Sequence, residues 1–75
     1  MKVAELVHSE DAHLFEKDYK AAGLKTSIKD NWFYVIGDKT KIEKIAKAQG
    51  ITEVVYLSDY GIKTKFPELK KGKLN

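Results

Sequence analysis

Apolar and polar residues alternate roughly at residues 3–8 and with a clear period of two at residues 24–29, whereas residues 32–36 and 54–57 are apolar throughout and rich in aromatic and β-branched types. Both patterns predict β-strands, at residues 3–8, 24–29, 32–36 and 51–57. Asp30 and Asn31 separate the second segment from the third, and both residue types tolerate the positive φ of a two-residue turn. A tight hairpin is therefore expected between these two strands.

Between the strands, apolar residues recur every three or four positions, which predicts two helices. Ser9 offers an N-cap for the first helix, and Gly23 is suited to end it. Thr40 and Glu43 have the spacing of a capping box at the start of the second helix, and Gly50 is suited to end that helix. The resulting order is strand, helix, strand, strand, helix, strand.

This order uses the same succession of strand, helix and glycine twice, and it resembles the ferredoxin-like split βαβ arrangement. The resemblance implies an α+β fold of order βαββαβ, with a four-stranded antiparallel sheet and two helices on one face. It covers about residues 2–58, and it is a resemblance of topology that carries over no functional residue.

The chain continues beyond the fourth predicted strand. Residues 62–66 alternate again before Pro67, which cannot continue a central strand. This pattern predicts a short fifth strand, hairpinned onto the fourth. We therefore expect a single domain over residues 1–66, followed by a basic C-terminal tail over residues 67–75.

The predicted sheet is apolar on both faces, although the helices are expected to cover only one of them. The mainly aliphatic positions are assigned to the core under the helices: Ala4, Leu6, Leu24, Ile28, Phe33, Val35, Val55 and Leu57 from the strands, with Phe15, Tyr19, Ile42, Ile45 and Ala46 from the helices. The remaining sheet positions form a predicted open face: Val3, Val7, Trp32, Tyr34, Ile36, Val54 and Tyr56.

Such an open face predicts a binding surface, because three aromatic side chains of roughly 150–250 Å² each exceed what a monomer normally exposes. One alternative is that Tyr60, Ile62 and Phe66 fold back over part of the face. The other is a protein partner, either a second copy in a homodimer or a different protein, since Trp and Tyr are enriched at such interfaces. The favoured function is a protein-binding regulator or inhibitor.

A second function class is the binding of single-stranded nucleic acid, RNA in particular, with bases stacked on sheet aromatics and lysines meeting phosphates. The residues for this alternative are Lys25, Lys29, Trp32, Tyr34, Tyr56, Lys39, Lys41, Lys44, Lys63 and Lys65. The arrangement is similar to that of RNA-recognition motifs, but their third-strand motif and first-strand aromatic residue are lacking here. Protein binding is favoured because the net charge is only +3.

Composition narrows the setting in which the protein works. The chain has 75 residues, with 14 lysines, no arginine, 11 acidic residues and no cysteine. Without cysteine there is no disulfide framework, thiolate zinc site or cysteine nucleophile. No apolar run suits a signal peptide or a membrane span, so we expect a cytoplasmic protein without a membrane partner. The composition resembles that of small host- or defence-modulating bacteriophage proteins, which implies a viral protein acting inside a bacterium.

Catalytic chemistry has no recognisable constellation in this sequence, because no serine or threonine has an evident base partner. His8 and His13 are five residues apart, which does not place two metal ligands on one helical face. Acylphosphatases share the strand and helix order, but they hold phosphate with an arginine that is absent here. The sequence therefore predicts a non-enzymatic protein with no catalytic residue, metal site or cofactor.

Overall fold

Four strands and three helices follow one another along residues 1–71, the part of the chain that the computed structural model describes. The strands are β1 (Lys2–His8), β2 (Lys25–Lys29), β3 (Trp32–Gly37) and β4 (Val55–Tyr56). The helices are α1 (Ala12–Ala21), α2 (Lys39–Ala48) and α3 (Asp59–Lys65), with 3-10 segments at Ser9–Asp11 and Pro67–Lys71. The predicted strands and helices up to β4 are all present, although β4 has only two residues.

The four strands form one antiparallel sheet in the order β2-β3-β1-β4. The central strands are therefore β1 and β3, while β2 and β4 are the edges. Asp30 and Asn31 form the predicted turn between β2 and β3, with φ of 51° and 71°. Gly23 and Gly50 follow α1 and α2 with φ of 83° and 84°, a conformation that glycine adopts without a steric penalty.

The starts of the two helices differ from the sequence prediction. Ser9 begins the 3-10 turn that precedes α1 and does not cap that helix. Asp38 rather than Thr40 is the N-cap of α2, and its carboxylate accepts a hydrogen bond from the Lys41 N–H at 3.1 Å. Asp is a stronger N-cap than Thr, so the helix begins at the residue after Asp38.

One face of the sheet packs against α1 and α2 and forms the helix-side core. Its buried members are Ala4, Ala12, Tyr19, Phe33, Val35 and Ile42, with Leu6, Val7, Phe15, Leu24, Ile45, Val54 and Tyr56 packed around them. Most of the residues assigned to this core from the sequence are present. Three strand residues assigned to this core are corrections: Ile28, near the end of edge strand β2, and Val55 are exposed, and Leu57 packs on the other face of the sheet.

Two register changes move predicted open-face residues into the helix-side core. A shift in the pairing of β1 with β3 between Glu5 and Val7 places Val7 opposite Phe33, so Val7 joins the helix side. In β4, Tyr56 pairs with Ala4, a helix-side residue, and it therefore faces α2. The predicted register of β4 was wrong by one residue, which exchanges the faces of its side chains.

The other face of the sheet is covered by a third layer, which we call the covering segment and define as residues 59–69. Residues 62–66, predicted as a fifth strand, instead belong to α3 and its C-terminal end. Ser58 caps α3 by accepting the Gly61 N–H at 3.1 Å, and Ile62 and Phe66 recur at helical spacing on one side. The apolar positions that alternate in residues 62–66 are therefore explained by the buried side of a helix and not by a strand.

The covering segment builds a second core on the sheet. Its buried members are Val3, Tyr34, Ile36, Phe66 and Leu69, with Leu57 and Ile62 packed beside them. The predicted domain boundary at residue 66 thus lies within the covering segment, because Leu69 is buried as well. Residues 72–75 of the predicted basic tail lie outside the described residues.

We expect Phe66→Ala to lower the free energy of unfolding by about 3–5 kcal/mol, because it removes a fully buried ring from the second core. Tyr60→Ala in the same helix should change it by less than about 0.5 kcal/mol, since Tyr60 is 76% exposed. Urea denaturation followed by circular dichroism measures both values. Equal effects of the two substitutions would mean that the covering segment does not dock on the sheet.

Candidate functional site

The predicted open face is not open in the structure. Val3, Tyr34 and Ile36 lie beneath the covering segment and are buried. The predicted open-face residues that instead pack on the helix side are Val7, Val54 and Tyr56. Trp32 alone keeps substantial exposure, at 39%. Of the two alternatives raised by the sequence, the structure therefore has the one in which C-terminal residues fold back over the sheet: Ile62 and Phe66 do so, whereas Tyr60 stays exposed.

The aromatic centre of this face is fully engaged within the chain. The Tyr34 and Phe66 rings meet edge to face, with centroids 5.2 Å apart. The Tyr34 hydroxyl donates a hydrogen bond to the Glu5 carboxylate at 3.2 Å. Burial, followed by the nearby Glu5 charge, raises the pKa of Tyr34. Both the ring and the hydroxyl of Tyr34 thus have partners, and neither is free for a ligand.

Two lysines predicted to contact nucleic acid instead hold the covering segment on the β2–β3 hairpin. The Lys29 ammonium lies 4.5 Å from the centre of the Phe66 ring and donates a hydrogen bond to the Lys65 carbonyl at 2.6 Å. Lys29 also lies 3.6 Å from the Glu68 carboxylate. Lys65 in turn contacts the Asp30 carboxylate at 2.8 Å. Lys29 and Lys65 therefore bind groups within the chain, between the hairpin and the covering segment.

The other residues of the predicted nucleic-acid surface lie on opposite layers of the molecule. Lys39, Lys41 and Lys44 belong to α2 on one side of the sheet, whereas Lys63 belongs to α3 on the other. Exposed Lys25 is on edge strand β2. The structure therefore does not bring the predicted lysines and aromatics onto one surface.

Tyr56, predicted for both kinds of partner, is held beneath α2. Its hydroxyl donates a hydrogen bond to Glu43 at 2.8 Å, and the Lys39 ammonium lies 5.7 Å from its ring centre. Burial and the Glu43 hydrogen bond raise the pKa of Tyr56. Burial likewise raises the pKa of Tyr19, to about 12. Both hydroxyls stay protonated at neutral pH.

The histidines lie in different places. The His8 ring meets the Trp32 ring edge to face at 5.8 Å, next to the hairpin, and its Nδ1 accepts the Glu10 N–H at 3.3 Å. His13 is exposed on α1. Among residues 1–71, no group of three or more His, Asp or Glu side chains is placed to hold a metal ion.

The surface that sequence reasoning missed is the outer edge of β4. Leu57 donates its backbone N–H to the Val3 carbonyl at 2.9 Å, so the alternation of an antiparallel ladder directs the N–H and C=O of Tyr56 away from β1. Val54 and Tyr56 both pack on the helix side, which extends the same alternation back to Val54. Within the described part of the chain, no strand pairs with this outer edge.

Side chains along this edge are apolar. Residues 54–57 carry no charge, and Val55 points away from the helix-side core with 50% of its surface exposed. The other edge is different, because β2 begins and ends with a lysine. Charged residues on an edge strand discourage pairing with another chain. The signal in the sequence was the uncharged run Val54-Val55-Tyr56-Leu57, whose side chains are predicted to point alternately to the two faces of the sheet.

A depression lies beside the β4 edge, on the side of α2. Its volume is about 380 Å³, and it is lined by Glu43, Lys47, Gly50, Ile51, Thr52 and Val54. Ile51 and Val54 are its apolar lining residues, and Glu43 and Lys47 of α2 bring a charge of each sign to it. Because it adjoins an unpaired strand edge, side chains of an added strand can enter it at alternate positions.

No protein-family model, curated protein or solved structure matches this chain. No helix within residues 1–71 is both long enough and apolar enough to cross a membrane. The candidate site is therefore defined by geometry alone: the unpaired edge of β4, the exposed Val55 and the depression beside α2.

The contact between Lys65 and Asp30 gives a prediction for pH dependence. The Lys65 hydrogen bond holds the pKa of Asp30 below its ordinary value of 3.8. Because the pKa is lowered in the folded state, the stabilisation is present above the unfolded pKa and is lost as pH falls through the folded value. We expect Lys65→Met to return the Asp30 pKa to its ordinary range, measured by NMR titration of the carboxyl carbon.

Lys63→Met is the matched control, because Lys63 is an exposed lysine of the same helix. It should leave the Asp30 titration unchanged. An unchanged Asp30 pKa in Lys65→Met would show that the contact does not persist in solution.

Proposed function

We propose that this protein is a non-enzymatic protein-binding module that regulates or inhibits its partner, and that the partner adds a strand to the open edge of β4. The observation that carries the proposal is the outward-facing, unpaired backbone of Tyr56 beside the half-exposed Val55, with Val54 packed on the same side of the sheet as Tyr56. Strand addition to an exposed sheet edge is a recurrent mode of peptide recognition. It uses main-chain hydrogen bonds for affinity and side-chain pockets for specificity.

The position of the depression supports this mode. An added strand sends alternate side chains to the α2 side of the sheet, where Ile51 and Val54 offer apolar contact. On the same wall, Glu43 is held by Lys39 at 2.9 Å and by the Tyr56 hydroxyl, which leaves the Lys47 ammonium to favour an acidic neighbouring side chain. This surface replaces the aromatic face, which is occupied by the covering segment.

We also propose that the fold is a ferredoxin-like split βαβ arrangement with an added C-terminal helical layer. The strand order β2-β3-β1-β4, with both crossover helices on one face, supports this assignment. In that arrangement β4 is an edge strand, which leaves its outer side available. On composition, we further propose that the partner is a host protein of a bacterium and that the module is of the bacteriophage type.

A random ten-residue peptide library, selected on the immobilised protein, tests strand addition. Selected peptides should shift the backbone amide NMR signals of residues 54–57 and protect the Val54 and Tyr56 amides from hydrogen exchange. Val55→Lys should weaken their binding at least about tenfold, because a charge on the edge disfavours pairing. Tyr60→Lys is the control and should bind as the unchanged protein does.

Selected peptides that instead shift the signals of Trp32 and the hairpin would contradict the site. Nucleic-acid binding is tested in the same samples with oligo-uridine and oligo-thymidine of about 20 nucleotides, followed by Trp32 fluorescence. Salt-dependent binding with a slope of about −0.7 per phosphate contact, together with failure of all peptides, would contradict a protein-binding function.

A further inference from the structure

We infer that, before any foreign partner binds, the edge of β4 pairs antiparallel with the β4 of a second copy of this chain, about a two-fold axis at Val55. The inference rests on the proposed strand-addition site and names its occupant. The two four-stranded sheets would then join edge to edge into one continuous sheet of eight strands. The interface is isologous, because each copy presents the same edge to the other.

The hydrogen-bonding pattern favours this axis. The backbone groups of Tyr56 point away from β1, and those of Val55 point towards it. Continued to Val54, which precedes β4 and packs on the same side of the sheet as Tyr56, this alternation directs the Val54 groups outward as well. An axis at Val55 places Val54 opposite Tyr56 of the second copy and Tyr56 opposite Val54 of the second copy. Each such pair exchanges two bonds, so the axis pairs all four outward groups with about four hydrogen bonds. An axis at Val54 or Tyr56 pairs fewer of them within the same residues.

Side chains at the axis match this pairing. Val55 meets Val55 of the second copy at a position without direct backbone bonds, where facing side chains come closest, about 4.5–5.5 Å between Cβ atoms. Two β-branched apolar residues are favoured in such a pair. Val55 is half exposed in the single chain, and this contact would bury it. Neither copy brings a charge to the axis.

Charges on α2 complement the same axis. A two-fold axis perpendicular to the sheet places α2 and its counterpart antiparallel on one face, beside each other. Glu43 and Lys47 lie one helical turn apart on the wall that borders the β4 edge. Reversal of the second helix sets Glu43 of one copy, which also contacts Lys39 of its own chain at 2.9 Å, opposite Lys47 of the other, and the reciprocal pair follows by symmetry. Opposite charges thus meet at both ends of the helix contact.

Analytical ultracentrifugation of the full chain tests the dimer over concentrations from about 10 μM to about 1 mM. The unchanged protein should pass from 8.5 kDa to twice that mass. Val55→Lys and Val55→Glu should each remain monomeric, because the substituted side chains repel across the axis. An equimolar mixture of these two variants should recover the dimer, since opposite charges then meet at the axis.

Tyr60→Lys and Tyr60→Glu are the matched controls and should dimerise as the unchanged protein does. Circular dichroism checks that all variants are folded. A mass of 8.5 kDa at about 1 mM would overturn the inference, as would dimers of either single Val55 variant. A mixture that stays monomeric would overturn the axis at Val55. Peptide binding at residues 54–57 would still stand in each case, so the inference can fail without the proposed function.

Discussion

The packing of Phe66 against Tyr34 is the contact on which the organisation of this protein depends. It turns a sheet with one covered face into a three-layer arrangement, and it does so with the side chain of a residue near the end of the described chain. Small domains bury a low fraction of their surface, so a second core adds a substantial share of the apolar burial available to a chain of 75 residues. The same contact removes the aromatic face from the surface and leaves the sheet edges as its accessible parts.

Lysine has two uses in this structure, and position decides between them. Lys29 sits at the hairpin, where its ammonium can reach the Phe66 ring, a backbone carbonyl and Glu68 together. Lys41 and Lys44 instead stand exposed on α2. The number of lysines in the sequence does not distinguish the internally bound ones from the exposed ones. For this reason the net positive charge of the chain is a poor guide to a ligand.

Much of the architecture could be predicted from local pattern. The hairpin at Asp30 and Asn31 was predicted because few residue types adopt positive φ there, and the two main helices were predicted from their apolar stripes. The faces of β4 could not be predicted in the same way, because its side-chain register follows from its pairing with Ala4 of β1. The shift near Val7 could not be predicted either, because it is a property of the pairing between β1 and β3.

The residues after β4 posed a different difficulty. Ile62 and Phe66 are four positions apart, a spacing that fits one side of a strand as well as one side of a helix. The Ser58 cap and the tertiary contact with Tyr34 decide for the helix. The candidate site was missed for a related reason: an unpaired backbone edge is a property of strand order, and side-chain chemistry does not reveal it.

The placement of the covering segment has a consequence for how the chain reaches its folded state. The β2–β3 hairpin brings together residues that are neighbours in sequence, whereas Leu69 packs in the same core as Val3 from the opposite end of the described chain. Contacts of such separation form slowly, because a long loop must close first. During synthesis, Tyr34 and Ile36 are made well before Phe66, and their face of the sheet has no cover until the last helix arrives. Between the synthesis of this sheet face and the docking of α3, the nascent chain exposes apolar surface that favours aggregation.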